Sequence, residues 1–116
     1  MNVLMILNDS PYGIERTFNG LRLAVSIATQ QNVELRIFLM GDAIICVKAG
    51  QKVPAGYYNV QDMIEKLTAA AVNIGVCGTC LSARGITDES IVKGAHRGTL
   101  LELTQWTLWA DKVIVF

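Results

Sequence analysis

The chain has 116 residues, the size of one domain, and its ten basic residues balance ten acidic residues. A zero net charge with scattered Lys and Arg argues against a protein that binds nucleic acid or a membrane surface by electrostatics. Charged residues make up 17% of the chain, against a usual fraction of about 25%. Because so few charges cannot cover a small domain, we expect apolar surface to be buried between subunits.

The first half of the chain predicts two strands, a long helix and a short helix. Val3–Leu7 is an unbroken apolar run, which is typical of a strand buried on both faces in a parallel sheet. An apolar stripe at helical spacing from Phe18 to Ala28 predicts the long helix. Leu35–Met40 predicts the second strand, and Ala43–Ala49 predicts the short helix.

The second half repeats this alternation. The apolar spacing from Val60 to Ala71 predicts a helix, Val72–Val76 a third strand, and Cys77–Ile86 a loop or short helix. Three further elements are a brief strand, an apolar helix and a last strand, at Gly94–Arg97, Thr99–Ala110 and Val113–Phe116. Since the last helix is apolar nearly all round, we expect it to be covered on more than one side.

Strands that alternate with helices predict one α/β domain over residues 1–116, with a mainly parallel sheet of about five strands. Ligands and reactive groups of such sheets lie beyond the carboxyl ends of the strands. The site is therefore expected in the loops that follow the strands, which are Asn8–Glu15, Gly41–Tyr58, Cys77–Thr87 and Arg97–Thr99.

Cys77 and Cys80 form a C-x-x-C motif directly after the third predicted strand. If a helical turn begins near Thr79, its backbone amides favour a thiolate, and the nearby Arg84 adds a positive charge. A thiolate attacks sulfur electrophiles, whereas a protonated thiol is a poor nucleophile. The motif therefore predicts a nucleophile at Cys77, with a redox dithiol and a pair of small buried side chains as the alternatives.

The remaining patterns are less specific. One C-x-x-C motif with a third cysteine and one histidine falls short of a zinc site, and we predict neither a metal nor an organic cofactor. The single histidine, His96, is a candidate proton shuttle or an ordinary packed side chain. Three cysteines fit no closed disulfide framework, and no targeting segment is apparent, so we expect a cytoplasmic protein.

Several segments, in order along the chain, resemble the DsrE/DsrF/TusD-like family. The first group is Pro11-Tyr12-Gly13, Phe38-Leu39-Met40-Gly41-Asp42-Ala43 and Cys77 followed by Arg84-Gly85. The closer likeness is to the YchN-like branch, through segments that include Gly50-Gln51-Lys52, Gly56-Tyr57, Cys77-x-x-Cys80, Gly98-Thr99-Leu100 and Gln105-Trp106-Thr107-Leu108. The resemblance implies a three-layer Rossmann-like or flavodoxin-like fold and a homo-oligomer, either a trimer or a hexamer.

The resemblance also implies a chemistry. In the sulfur-relay members, one cysteine after the third strand accepts sulfane sulfur as a persulfide and hands it to a partner. Aligned on the Arg-Gly pair, that cysteine is Cys77, which implies a sulfurtransferase-like carrier served by donor and acceptor proteins. Arg84 would hold the thiolate charge. Cys80, which has no counterpart in the relay members, would resolve or protect the persulfide, and this leaves a disulfide open.

Two alternatives to the carrier remain. One is an oligomeric binding module without covalent chemistry, whose pocket would lie at subunit junctions and be lined by Tyr12, Tyr57, Tyr58 and His96, beside Pro11 and Gly13. The other is a redox protein that uses both cysteines of the motif as a dithiol.

Overall fold

The structure is a computed structural model that describes residues 1–116. Its five strands are β1 (Asn2–Leu7), β2 (Glu34–Leu39), β3 (Asn73–Cys77), β4 (Ala95–Gly98) and β5 (Lys112–Val115). Its α-helices are α1 (Arg16–Ala28), α2 (Val60–Ala69), α3 (Gly78–Ala83) and α4 (Leu100–Trp109). The strands form one parallel sheet in the order β4-β3-β2-β1-β5, so the predicted α/β fold with about five strands is confirmed.

Helices cover the sheet on both faces. Val3 and Met5 of β1 point to one side, into a core of 21 buried residues that also contains the inner faces of α1 and α2. Leu4, between them, points to the other side and packs with Phe38 and Trp106 of α4. These three layers bury β1 on both faces, as its unbroken apolar run predicts.

Two local elements differ from the prediction or refine it. The predicted short helix Ala43–Ala49 is a 3-10 helix at Gly41–Val47, one side of which is buried in the larger core. The segment predicted as a loop or short helix after the third strand contains α3. Boundaries elsewhere move by a few residues, which is common at fraying ends.

Within one chain, α4 is covered on one side only, which departs from the predicted coverage. Trp106 is its one buried residue, whereas Leu100 is 74% exposed and Leu108 is 82% exposed. The adjacent edge strand also presents Val113 and Val115 to solvent. A monomer thus leaves an apolar face uncovered around α4 and β5. None of the helices has the length and apolar character needed to span a bilayer.

Candidate functional site

A crevice opens between the carboxyl ends of β3 and β4. After β3 the chain turns toward the larger core, where Leu81 of α3 is buried, and after β4 it turns to the opposite face, where α4 packs. Parallel α/β sheets bind ligands where the connections that follow two adjacent strands lead to opposite faces of the sheet, as they do here. The cavity here has a volume of about 610 Å³, and its walls are mostly apolar, with contributions from Phe38, Met40, Leu100 and Leu103.

Cys77 lies in the wall of this cavity, as the last residue of β3 and the N-cap of α3. Its Sγ accepts a hydrogen bond from the backbone N–H of Cys80 at 3.4 Å and lies 3.3 Å from the hydroxyl oxygen of Thr79. Partial burial raises the pKa of Cys77, but hydrogen bonds from Cys80 and Thr79 outweigh burial and lower the pKa below its ordinary value. The geometry therefore favours a half-buried thiolate that faces an open cavity.

Cys80, the second cysteine of the motif, lies in the first turn of α3. Its side chain packs against the larger core and is not among the residues that line the cavity. Its Sγ accepts a hydrogen bond from the backbone N–H of Gly41 at 3.3 Å. Burial, and then its hydrogen bond to Cys77, raise the pKa of Cys80. The two thiols of the motif thus have opposite tendencies, one toward the thiolate and one toward the thiol.

Arg84 joins the end of α3 to the loop after β2. Its Nε and Nη2 donate to Asp42 Oδ1 at 3.1 and 2.9 Å, and its Nη1 donates to the carbonyl oxygen of Cys80 at 3.2 Å. The sequence predicts that Arg84 holds the charge of Cys77. In the structure it pairs with Asp42, and its positive charge lowers the pKa of Cys80 instead. Arg84 therefore positions the segments around the second cysteine.

The third cysteine, Cys46, is fully buried in the larger core. Burial raises its pKa to about 12, so it stays protonated at neutral pH. Since an inaccessible thiol is inert, Cys46 serves as a matched control for the two cysteines of the motif.

Within one chain, Pro11 and Tyr12 of the segment Pro11-Tyr12-Gly13, which is predicted to line a pocket at subunit junctions, belong to a hydrogen-bonded brace. The Tyr12 hydroxyl donates to Gln51 Oε1 at 2.6 Å and accepts from the backbone N–H of Val60 at 3.1 Å. The Tyr58 hydroxyl donates to the carbonyl oxygen of Pro11 at 3.4 Å. None of these residues lines the cavity beside Cys77, and neither does Tyr57, which is 71% exposed.

His96, the candidate proton shuttle, lies on β4 and pairs with a carboxylate of α4. Its Nε2 is 2.7 Å from Glu102 Oε1, and its ring packs edge-on against Trp106. The carboxylate lies so close to the sheet that a Cβ on Gly75 would be 2.7 Å from it. His96 is not among the cavity-lining residues, so the structure places it where it fastens α4 to the sheet.

Glu102 is not predicted from the sequence, and Arg97 is predicted only as part of a segment expected near the site, without a role of its own. The spacing of Thr99 and Glu102 is that of a capping box, and the Thr99 hydroxyl does accept from the Glu102 N–H at 3.1 Å. That signal could have located the carboxylate. Arg97, a polar lining residue of the cavity, donates to Asp88 at 2.7 Å and to the carbonyl oxygen of Gly78 at 2.7 Å. No sequence pattern indicates those partners.

No group of three or more His, Cys, Asp or Glu side chains is arranged to hold a metal ion. What the arrangement can do chemically rests on Cys77, whose contacts favour a thiolate in the wall of the cavity, and on the neighbouring Cys80 of the same motif.

Comparisons with known proteins agree with this fold. Protein YchN of Escherichia coli K12 is 47% identical over 115 residues, which cover 98% of this chain and 97% of that protein. The uncharacterized protein MK0008 of Methanopyrus kandleri is 31% identical over 114 residues, or 98% of this chain and 93% of that protein. The crystal structure of E. coli YchN superposes with a TM-score of 0.94 at 46% identity, covering 100% of this chain and 99% of that one.

A more distant structure is that of the protein of unknown function MTH1491 from Methanobacterium thermoautotrophicum, which superposes with a TM-score of 0.74 at 13% identity. The superposition covers 99% of this chain and 97% of that one, and at this low identity it supports the fold alone. The sequence model of the DsrE/DsrF-like family matches residues 1–116. With that match over its whole length and a relative that is 47% identical, this chain belongs to the DsrE/DsrF-like family.

Proposed function

We propose that this protein accepts sulfane sulfur on Cys77, holds it as a persulfide and passes it to the thiol of a partner protein. The family to which the chain belongs is associated with sulfur relay. The observation that carries the proposal is the position of Cys77 Sγ, which lies in the wall of a cavity of about 610 Å³ and accepts hydrogen bonds that favour the thiolate.

In the loading step, the Cys77 thiolate attacks the outer sulfur of a donor persulfide, R–S–SH. A bond forms between Cys77 Sγ and that sulfur, and the bond between the two donor sulfurs breaks. The electron pair leaves with the donor as R–S⁻, which takes up the persulfide proton. Because the transferred sulfur keeps its oxidation state, the step needs neither a metal nor an organic cofactor. Transfer to an acceptor thiol repeats the same exchange.

The proposal includes a homo-oligomer, either a trimer or a hexamer, that works in the cytoplasm with sulfur donor and acceptor proteins. The exposed apolar side chains of α4 and β5 support the assembly, since a second copy would cover them. The free cysteines suit a reducing compartment.

Intact mass measurement tests the carrier. Reduced protein is exposed briefly to cysteine and a cysteine desulfurase, and in parallel to glutathione persulfide. We expect Cys80→Ser to gain whole sulfur atoms that a reductant removes, and Cys77→Ser to gain none. Cys46→Ser is the matched control and should load as wild type does. Equal loading of Cys77→Ser and Cys80→Ser, or no loading from either donor, would overturn the proposal.

A binding module without covalent chemistry is the second candidate, and the largely apolar walls of the cavity favour it. On this alternative, Cys77→Ser would retain ligand binding and cellular function. Loss of function in a folded Cys77→Ser variant would exclude it.

A further inference from the structure

The two cysteines of the motif have different surroundings at the edge of the sheet. Cys77 packs against both the larger core and the small cluster of Leu4, Phe38 and Trp106, whereas Cys80 packs against the larger core alone. The cavity is lined by Cys77 and not by Cys80. A sulfur atom that reaches Cys77 through the cavity is therefore attached from a space that Cys80 does not line.

This arrangement, with Cys80 beside Cys77 and outside the cavity lining, is compatible with displacement at sulfur, in which the attacking thiol and the leaving sulfur lie on opposite sides of the sulfur under attack. From it we infer that Cys80 attacks Cys77 Sγ in the loaded protein and expels the outer sulfur into the cavity as hydrosulfide. The product is an internal disulfide between Cys77 and Cys80. The inference rests on the proposed function, because it needs Cys77 to carry sulfane sulfur, and it adds sulfide release as a second activity of the same site.

The distance between the two cysteines permits the bond. The N–H of Cys80 already lies 3.4 Å from Cys77 Sγ. Residues three apart in a helical turn have Cα atoms about 5 Å apart, as follows from a rise of about 1.5 Å per residue and a radius of about 2.3 Å. Disulfides span Cα separations of about 4.4–6.8 Å. Ring closure therefore needs side-chain rotation and no rearrangement of the backbone.

Other contacts hold the attacking group in place. The N–H of Gly41 binds Cys80 Sγ at 3.3 Å, and the ion pair of Arg84 with Asp42 keeps Gly41 beside α3. The N–H and the guanidinium both favour a negative charge on Cys80 as its proton leaves. Burial and the charge on Cys77 keep Cys80 protonated before loading, so the proton that the leaving sulfur requires is at hand.

The step balances without an external oxidant or reductant. The reactants are the persulfide anion on Cys77 and the thiol of Cys80. The bond between Cys77 Sγ and the outer sulfur breaks, and a bond between the two cysteine sulfurs forms. The outer sulfur leaves with the electron pair, takes the Cys80 proton and becomes HS⁻. The sulfane sulfur is thereby reduced to sulfide, and the two cysteine sulfurs are oxidised to the disulfide.

A single-turnover experiment tests the inference. Wild type, Cys80→Ser and Cys46→Ser are loaded with glutathione persulfide, freed of donor by gel filtration and kept at micromolar concentration without reductant. Released sulfide and intact mass are followed together. We expect wild type and Cys46→Ser to release sulfide and to end two hydrogens lighter than the reduced protein. Cys80→Ser should retain its sulfur, and its loss should be about a thousandfold slower, because an intramolecular thiol acts at roughly millimolar effective concentration, whereas thiols of other molecules are present at micromolar concentration.

The outcomes separate the two proposals. If no variant gains sulfur at the loading stage, the carrier itself fails, and sulfide release fails with it. If wild type loads but loses sulfur no faster than Cys80→Ser, sulfide release alone is overturned. A release rate that rises with protein concentration would also overturn it, because attack by another molecule would then be responsible. Circular dichroism of Cys80→Ser and Cys80→Ala shows that the comparison concerns folded protein.

Discussion

Replacing Tyr12 with Phe removes one hydroxyl from the brace between the loop after β1 and the start of α2. That hydroxyl donates to Gln51 at 2.6 Å and accepts from the N–H of Val60 at 3.1 Å. A hydrogen bond contributes about 1 kcal/mol net, and a buried partner left unpaired costs about 1–3 kcal/mol. With two partly buried partners, we expect Tyr12→Phe to lower the free energy of unfolding by about 2 kcal/mol. Sulfur acceptance should be unchanged, since Tyr12 does not line the cavity.

Urea unfolding followed by circular dichroism measures this loss, at one protein concentration because assembly shifts apparent stability. Tyr57→Phe is the matched control. Its side chain is 71% exposed, so its free energy of unfolding should stay within about 0.5 kcal/mol of wild type. A Tyr12→Phe variant as stable as wild type would refute the structural role. A folded variant that no longer accepts sulfur would place Tyr12 in the site.

Three further predictions concern the thiols and the uncovered helix. Thr79→Val removes a hydrogen bond to Cys77 and should raise its pKa, moving the midpoint of its alkylation rate to higher pH; an unmoved midpoint would count against that bond. Cys46, with its pKa raised to about 12, ionises only on unfolding. Its stabilising contribution is therefore complete below about pH 8.5 and should fall by up to about 1.4 kcal/mol per pH unit above it, a slope that Cys46→Ala should lack in alkaline urea titrations. Leu108→Glu should give a smaller species in sedimentation velocity than wild type, and identical sedimentation would argue against assembly through α4.

Local patterns explain why most of the fold could be predicted. The unbroken run at Val3–Leu7 and the stripe from Phe18 to Ala28 each report burial through spacing alone, and both elements form where the spacing places them. The sequence could not predict that the helix at Gly41–Val47 is a 3-10 helix rather than an α-helix, because a seven-residue segment is too short to distinguish about 3.0 from about 3.6 residues per turn. Strand order also escapes local patterns, since β5 pairs with β1 across almost the whole chain.

In the candidate site, too, local sequence patterns predict some features, and contacts between distant parts of the chain determine the others. Cys77 could be predicted because its motif directly follows an apolar strand in the sequence. The partner of Arg84 could not, because Asp42 is 42 residues away in the chain and reaches it only through the fold. His96 is a candidate from the sequence because it is the only histidine, but its contacts are set by Glu102, whose position a helix-capping pattern indicates.

The helical layers on the two faces of the sheet contain different aromatic residues, tryptophan in one and tyrosine in the other, so their unfolding can be followed separately by spectroscopy. Both tryptophans belong to α4, where Trp106 packs edge-on against the sheet and Trp109 lies with its ring 3.8 Å from the guanidinium of Arg36. Tyr12 and Tyr58 stack on the opposite side, against the larger core. Selective excitation of tryptophan therefore reports detachment of α4, while tyrosine absorbance reports loosening of the α1 and α2 layer. Whether the two signals change together measures how tightly the sheet couples its faces.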